Sequence, residues 1–594
     1  MIRTPLRPLA RILEARSNGE NPDVIERENI RLRHEDMRDR ARQRAEGRLL
    51  VLGIFFLCAF TAVGGRMAML SASEPTEPRA NASGASILAQ RADIVDRQGR
   101  ILATNLETHS LYTQTAEMVD PENAARELAR IFPDLEHKEL LEDFTGKPRF
   151  LWIRKKLSPE QKQAVHDIGE PGLMFGPREM RLYPNGHLAS HVLGGAGFGR
   201  EGVHAAELLG VAGVERQFND QLRDPANEGK ALQLSLDLTI QAASERVLYG
   251  GMKLMNAKGA AAVLMDVHTG ELISLVSLPD FDPNDRPRPP IKGHASDSPL
   301  FNRAVQGVYE LGSTFKIFAA AQAMELGLAH SETVFDTQGP LRWGKHRIRD
   351  FHNYGKELTL TKIIVKSSNI GTARVAQMIG VERQKDFLDQ LGLLKPTALE
   401  LSEARIGKPL LPPNWSELST MTISYGHGLS ATPLHLATAY AMIANGGTVV
   451  TPTLLKREAP VVGERVMSEQ SAAASRMMLR KVVTEGTASF GEVRGYAVGG
   501  KTGTADKPKE AGGGYYEDKV IATFASMFPA HNPRYVLVVT LDEPRETSGE
   551  EERRTAGWTA VPVAAEMIRR IAPLLGLRPE IEPVNLADIT LTSN

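Results

Sequence analysis

Hydrophobic and polar positions change character several times along this chain. From Met1 to Arg48 arginines and acids are interspersed, aromatics are few and no apolar stripe forms, which predicts a largely disordered tail with a short helix between Asp23 and Arg48. Leu49 to Gly65 is then an uninterrupted apolar run bounded by Arg48 and Arg66. A membrane helix needs roughly 20 mostly apolar residues, with a lower limit of about 17, and Leu49 to Leu70 suffices if Arg66 snorkels toward the headgroups. The arginines ahead of the run fit positive-inside flanks, placing the chain after about Ser71 outside the cytoplasm. The competing reading is a cleaved signal peptide, since Ser71-Ala72-Ser73 is a small-x-small triplet. Against it, the run exceeds the usual apolar region of about 7 to 15 residues and the leader before it is long, so an uncleaved anchor over 49–70 is expected. Residues 71–86, rich in Ser, Ala, Pro and Glu, read as a linker.

Beyond the linker the pattern shortens. From Ile87 to about Ala231, alternating stretches such as Ile94 to Val95 and Leu102 to Thr104 are interleaved with helical segments such as Pro121 to Ile131 and Ser158 to His166. This is a mixed region without an ordered catalytic set, and its arginines, among them Arg178, Arg181 and Arg200, read as solvated or salt-bridged. A new domain begins near Leu232 with a helix through Leu248, capped by Asp237 or Thr239. Gly259 to Asp266 and Glu271 to Ser277 are apolar strands joined by a hairpin-like turn, and Pro279 to Pro299 is a proline-rich loop. Ala497 to Thr504, Val520 to Phe528 and Tyr535 to Leu541 complete the strand set. Strands at both ends with helices between predict an α/β sandwich around a central antiparallel sheet. The domain runs over 232–575, and 576–594 form a C-terminal tail.

Composition narrows the classes. A chain of 594 residues is too long for one ordinary core, and a formal net charge of -1 offers no argument for a nucleic-acid partner. Cys58 is the single cysteine and lies in the apolar run, so it is a membrane-embedded thiol and no intramolecular disulfide can form.

The candidate chemistry sits at Glu310-Leu311-Gly312-Ser313-Thr314-Phe315-Lys316, where a serine precedes a lysine by three positions at the start of an alanine-rich run. Thr314 to Leu326 lacks proline and glycine before its end and predicts a helix whose first turn carries Ser313 and Lys316 on one face. A serine hydroxyl needs an adjacent base to act as a nucleophile at neutral pH. Alone, S-x-x-K is a chance pattern on many helices. Lys366-Ser367-Ser368-Asn369 and Gly499-Gly500-Lys501-Thr502-Gly503-Thr504 follow in order, however, and S-x-x-K, S-x-N, K-T-G is a known ordered signature of penicillin-binding proteins and class A β-lactamases. Ser368 stands where the β-lactamase version carries aspartate.

With these motifs the chain resembles the class B penicillin-binding proteins, most closely their cell-division, FtsI-type branch. The resemblance covers Arg91 to about Pro573. Arg91-Ala92-Asp93-Ile94-Val95-Asp96-Arg97-Gln98-Gly99-Arg100 is similar to the family's R-G-x-I-x-D-R-x-G stretch, with Ala92 for the usual glycine. Arg181-Leu182-Tyr183-Pro184 and Gly210-Val211-Ala212-Gly213-Val214-Glu215 resemble its pedestal motifs, and Leu311 stands where such proteins often carry proline. The resemblance implies an α+β multidomain protein: a serine-transpeptidase domain with a central antiparallel sheet flanked by helices, an elongated pedestal of the dimerisation type over 87–231, and one transmembrane helix. It implies a peptidoglycan D,D-transpeptidase of the division septum, in the inner membrane with a cytoplasmic N-terminus and a periplasmic catalytic domain, acylated by β-lactams.

In the mechanism so implied, Lys316, kept neutral by burial and by Lys501, takes the Ser313 proton as Ser313 attacks a D-alanyl-D-alanine stem peptide. Ser367 relays the proton to the leaving amine and Asn369 holds the substrate amide and the lysine. Lys501, Thr502 and Thr504, with Gly503 between the threonines, form the carboxylate-binding edge. The backbone N–H groups of Ser313 and Thr504 form the oxyanion hole. Between Asn369 and Lys501 no E-x-x-x-N stretch resembles the loop that activates water in class A β-lactamases, so slow hydrolysis is expected. The alternatives are an elongation-type transpeptidase, a hydrolase (D,D-carboxypeptidase or β-lactamase), and an anchored penicillin sensor or division scaffold. No glycosyltransferase motif lies between Leu70 and Leu232, so glycan polymerisation implies a membrane partner of the FtsW type, alongside other division proteins. Ser424 to Pro433 resembles a family stretch that packs behind the site, with His427 structural. Asp350 to Tyr354 borders the cleft, Gly512 to Tyr516 is a mobile loop beside the K-T-G strand, and no metal or nucleotide site is recognisable.

Overall fold

In a computed structural model the described residues are 7–72, 91–201, 206–227, 230–509 and 513–580. They fall into two units, one ending at Ile87 and the other beginning at Leu88. The first is helical. Arg7–Ser17 is one helix, and Pro22–Ala72 is a single helix of 51 residues. The expectation of a disordered tail with a short helix is corrected here: helix runs without interruption from the arginine-rich stretch into the apolar one. Ion pairs at i,i+4, Arg31 with Glu35 and Arg42 with Glu46, are a local reason, because they support a helix that has no apolar stripe to bury. Within it Glu46–Met67 is long and apolar enough to cross a membrane, with a mean hydropathy of 2.0 and no buried residues. The expected linker falls almost wholly outside the described residues, as does the C-terminal tail beyond Glu580.

The second unit opens with a five-stranded sheet. Its long central strand, Ile101–Gln114, pairs antiparallel with Phe150–Leu157 and Leu173–Leu182, and through Ile94–Val95 the sheet reaches Leu232–Gln233. Helices Pro121–Ile131, His137–Thr145 and Pro159–His166 contribute to a small separate core with Leu111, Leu128, Phe132 and Phe144. The Pro159–His166 helix is set by a capping box between Ser158 and Gln161.

Two arginines of this region, Arg91 and Arg181, are ion-paired inside the fold, and Arg178 lies buried over the rings of Trp152 and Phe198. Glu215, fully buried, accepts from Arg91 Nε at 2.6 Å and from Arg181 Nε at 2.6 Å, and Tyr183 donates to it at 3.2 Å. Three motifs far apart in sequence therefore meet on one carboxylate. Asp96 accepts from the backbone of Gln98, Arg100 and Leu238, and Arg100 reaches Asp237 at 2.9 Å, tying the pedestal to the cap of the Leu238–Leu254 helix.

The catalytic domain is built on a second sheet, ordered Gly499–Pro508, Tyr515–Phe528, Tyr535–Asp542, Gly259–Asp266, Leu272–Leu278, antiparallel throughout. The middle strands are buried on both faces, and their near-continuous runs of Ala, Val and Leu reflect that. Pro433–Ala444, every residue of it buried, packs under this sheet, and Leu238–Leu254 and Ala560–Leu574 pack against each other and the strands. The K-T-G strand is left at the sheet's edge.

Candidate active site

Ser313 lies one turn earlier in the element than the sequence pattern predicts. Gly312–Phe315 is a 3-10 turn and the α-helix proper is Lys316–Glu325, so the nucleophile candidate precedes the helix and the lysine opens it. Gly312 permits this junction. Its φ is +56°, and a side chain on it would sit 2.8 Å from the carbonyl oxygen of Thr504. Gly426, at φ +85°, accommodates the Gly312 carbonyl in the same way, so the Ser424-to-Pro433 stretch packs directly against the turn. From below, Tyr440 donates to the Thr314 carbonyl at 2.7 Å, and Phe315, Phe318 and Tyr440 form edge-to-face pairs. The turn is held by packing on three sides, with Ser313 half-buried at its open side.

Two lysines converge from separate elements on one hydroxyl. Lys316 donates to the Ser367 hydroxyl oxygen at 3.1 Å and to its carbonyl at 2.5 Å, and Lys501 donates to the same hydroxyl at 3.0 Å. Both amines are fully buried. Burial drives the Lys316 pKa well below the usual lysine value, the Lys501 charge drives it further, and Asp350 opposes the shift in part. Burial alone brings Lys501 down to about 7. Among the described residues the hydrogen bonds of the Lys316 amine run to Ser367 rather than to Ser313.

Ser367 reaches this position through a left-handed backbone, φ 63°, at the end of the Leu360–Lys366 helix. A non-glycine residue in that region costs about 1–2 kcal/mol, and such strain clusters at functional sites. Here it turns both the carbonyl and the hydroxyl of one residue toward Lys316.

Asp350 is the contributor whose role the sequence pattern left unassigned. It accepts from Ser368 Oγ at 2.7 Å, from the Asn369 N–H at 2.5 Å and from the Ile370 N–H at 3.0 Å, capping the Asn369–Ile379 helix together with Ser368. The carboxylate that the S-D-N version carries inside its motif comes in this chain from a loop. Its only sequence signal is its place in the Asp350-to-Tyr354 stretch. The Asn369 side-chain nitrogen donates to the Arg349 carbonyl at 2.9 Å, and among the described residues the Lys316 amine bonds Ser367 rather than Asn369.

On the K-T-G strand the period of two puts Lys501 and Gly503 on one face and Thr502 and Thr504 on the other. Gly503 is required by proximity: a side chain there would lie 2.1 Å from the Leu311 carbonyl. The Thr502 hydroxyl bonds Thr487 at 2.7 Å, and the Thr504 hydroxyl accepts from the Ala556 N–H at 3.0 Å. Both threonines are thereby oriented by neighbours whose contribution no motif signalled.

Glu310 organises the rim. It accepts from the Gly428 N–H at 2.8 Å, from Tyr515 at 3.0 Å, and pairs with His427 at 3.1 Å. Burial pushes its pKa up, but these bonds outweigh burial and hold it below the usual value. His427 thus serves a carboxylate. Of the loop expected to be mobile, Gly512 lies outside the described residues, while Tyr515 begins a strand and is bonded to Glu310.

The arrangement supplies a reachable hydroxyl, a buried amine with a depressed pKa one residue into the following helix, a bridging hydroxyl, a second cation, and a strand edge. That is the equipment of serine acyl transfer without an imidazole. Comparison with known proteins agrees. Residues 260–567 match the family described as penicillin binding protein transpeptidase domain, and residues 86–231 match the penicillin-binding protein dimerisation domain. The chain is 35% identical over 580 residues to a probable peptidoglycan D,D-transpeptidase FtsI of Caulobacter vibrioides, covering 94% of each chain. It is 33% identical over 479 residues to a probable peptidoglycan D,D-transpeptidase PenA of Neisseria meningitidis, covering 77% of this chain and 80% of the relative. To the peptidoglycan D,D-transpeptidase FtsI of Escherichia coli it is 28% identical over 515 residues, with 83% and 85% covered.

Proposed function

This chain belongs to the class B penicillin-binding proteins of the FtsI type and is a serine D-Ala-D-Ala transpeptidase of peptidoglycan, and we propose that it works through Ser313, Lys316, Ser367 and Lys501 as follows. Neutral Lys316 withdraws the Ser313 proton as Oγ attacks the penultimate D-alanine carbonyl. The oxyanion that forms is received by the backbone N–H groups of Ser313 and Thr504, and one such donor is worth on the order of 3 kcal/mol in the transition state. Ser367 accepts from both lysines, so its own proton passes to the departing D-alanine nitrogen while the proton that Lys316 took from Ser313 moves on to the Ser367 oxygen, leaving Lys316 neutral again. Lys501, Thr502 and Thr504 hold the terminal carboxylate against the edge strand, with Gly503 keeping that strand close to the nucleophile turn. Asn369 holds the substrate amide. The resulting ester is released by the amine of a neighbouring stem peptide.

The observation that carries this reading is the pair of buried lysines meeting on Ser367, since two adjacent ammonium groups cannot both stay charged at low cost and one of them is left as a base. The same geometry accounts for β-lactams as inhibitors: they acylate Ser313 and leave no small departing group.

For the molecule as a whole we place the 49–70 helix in the plasma membrane, the N-terminus inside, the catalytic domain in the periplasm and the site of action at the division septum. An FtsW-type glycan polymerase and other division proteins would be its partners. The deciding experiment is intact mass after brief benzylpenicillin exposure. The wild-type chain is expected to gain one penicilloyl mass, stable for minutes or longer, and Ser313→Ala to gain none. Labelling of another residue, or loss of the adduct within seconds, would overturn the assignment.

A further inference from the structure

A cavity of about 260 Å³ opens at the junction of the pedestal and the catalytic domain, away from the transpeptidase cleft. Lys156, Arg181, Tyr183, Phe198, Asp285 and Arg286 are among its walls. The junction is built rather than incidental. The Tyr183 N–H donates to Asn284 Oδ1 at 2.9 Å and Asn284 Nδ2 returns a bond to the Tyr183 carbonyl at 2.9 Å, pinning the 283–286 turn of the catalytic domain to the pedestal strand.

Two guanidinium groups keep unspent donors here. The Arg181 side chain is only 1% exposed; its Nε serves Glu215 and its Nη1 serves Asn105, while Nη2 is buried without a hydrogen-bond partner among the described residues. Arg286 Nε is likewise buried and unpartnered. Buried donors are paired in most proteins, and an orphan asks for a water or a ligand. Lys156 adds a third cation from the Phe150–Leu157 strand. Asp285 on the wall, Glu403 near Arg286 and Glu215 behind Arg181 offset part of this charge, but Glu215 is already shared with Arg91. Guanidinium forks match the oxygens of phosphate and carboxylate groups. The space exceeds that of a bare ion, and the rings of Tyr183 and Phe198 supply an apolar wall for the rest of a small molecule.

We propose that this cavity binds a small organic oxyanion, a phosphate ester or a carboxylate-bearing wall fragment, at a site separate from the transpeptidase centre. Binding would bridge the pedestal strand carrying Arg181 and the turn carrying Arg286. The test uses the full chain in detergent micelles with its cleft already filled by benzylpenicillin, titrated calorimetrically with glucose 6-phosphate, with a muramyl dipeptide carrying a free carboxylate, and with inorganic phosphate. One of the two organic probes is expected to bind at one site per chain, at least tenfold more weakly in Arg286→Gln or in Lys156→Gln, while penicillin acylation of both variants is unchanged. Binding of the sugar phosphate identifies a phosphate ester as the ligand, and binding of the muramyl dipeptide a wall carboxylate. No binding of either organic probe, binding of inorganic phosphate alone, or affinity equal to wild type in both variants would overturn the proposal. Because acylation is scored separately, failure at this cavity is distinguishable from failure of the Ser313 assignment.

Discussion

Lys316 and Lys501 differ in what surrounds them, and that difference supports the roles proposed for them. Lys316 feels burial plus the Lys501 charge, whereas burial alone acts on Lys501, so in the proposed mechanism Lys316 serves as the base and Lys501 as the cation. The rate of benzylpenicillin acylation should therefore rise with pH as Lys316 loses its proton and fall again as Lys501 discharges above about 7. In Lys501→Arg the alkaline limb should vanish while the acid limb stays, which a rate profile by intact mass would reveal. The linkage to stability has a definite sign. The folded-state pKa of Lys501 lies below its unfolded value of ~10.4, so between about 7 and that value the unfolded chain binds more protons and stability rises with pH. Below about 7 the buried cation is a net cost, and Lys501→Met should melt higher than wild type at pH 6 while losing acylation. Asp350 is a carboxylate satisfied by two backbone N–H groups and a hydroxyl. Asp350→Ala should destabilise by about 1 kcal/mol as a lost cap and slow acylation through the released Ser368 and Asn369, measurable as a lower melting temperature with a reduced acylation rate.

At the scale of elements the site is an intersection of three chain segments, each stopped at the right place by local chemistry. The nucleophile turn begins with a left-handed glycine, the Ser367 segment ends a short helix, and the K-T-G strand is an edge strand. Ordered motifs were enough to name all three. They could not show that the lysine of the first segment bonds the serine of the second, or that the first turn is 3-10 and is held from below by Tyr440, because both depend on segments far apart in sequence packing together. The pedestal makes the same point with arginines. Arg181 reads as a solvated or salt-bridged cation in sequence, and the fold sets it and Arg91 on opposite oxygens of one buried glutamate. Removing one member of such a cluster strands the others. Glu215→Ala should cost about 3–5 kcal/mol, seen as loss of the pedestal's protection in hydrogen exchange, whereas strands of the catalytic sheet should remain protected.

For the molecule as a whole, the apolar helix Glu46–Met67 is long enough to cross a membrane, and the proposed topology puts both domains that follow it on the outer side. Protease added outside spheroplasts should remove the chain beyond residue 88 and leave a fragment of the N-terminal helix; a fully protected chain would reverse the proposed topology. Sequence by itself determined the order of domains, the apolar run, the strands of the second sheet and the segments that carry the S-x-x-K, S-x-N and K-T-G motifs, because these depend on periodicity, length and residue types that act within a few positions of one another. It misjudged the arginine-rich leader, where neighbouring charges four apart favour helix although composition argues for disorder. Tertiary structure alone decided which amines meet on the Ser367 hydroxyl, which carboxylate serves Ser368, and which guanidinium nitrogens at the domain junction lack a hydrogen-bond partner among the described residues. The physical reason is range: desolvation and hydrogen bonding act through space between residues such as Lys316, Ser367 and Lys501, and only the folded chain brings them within 3.1 Å.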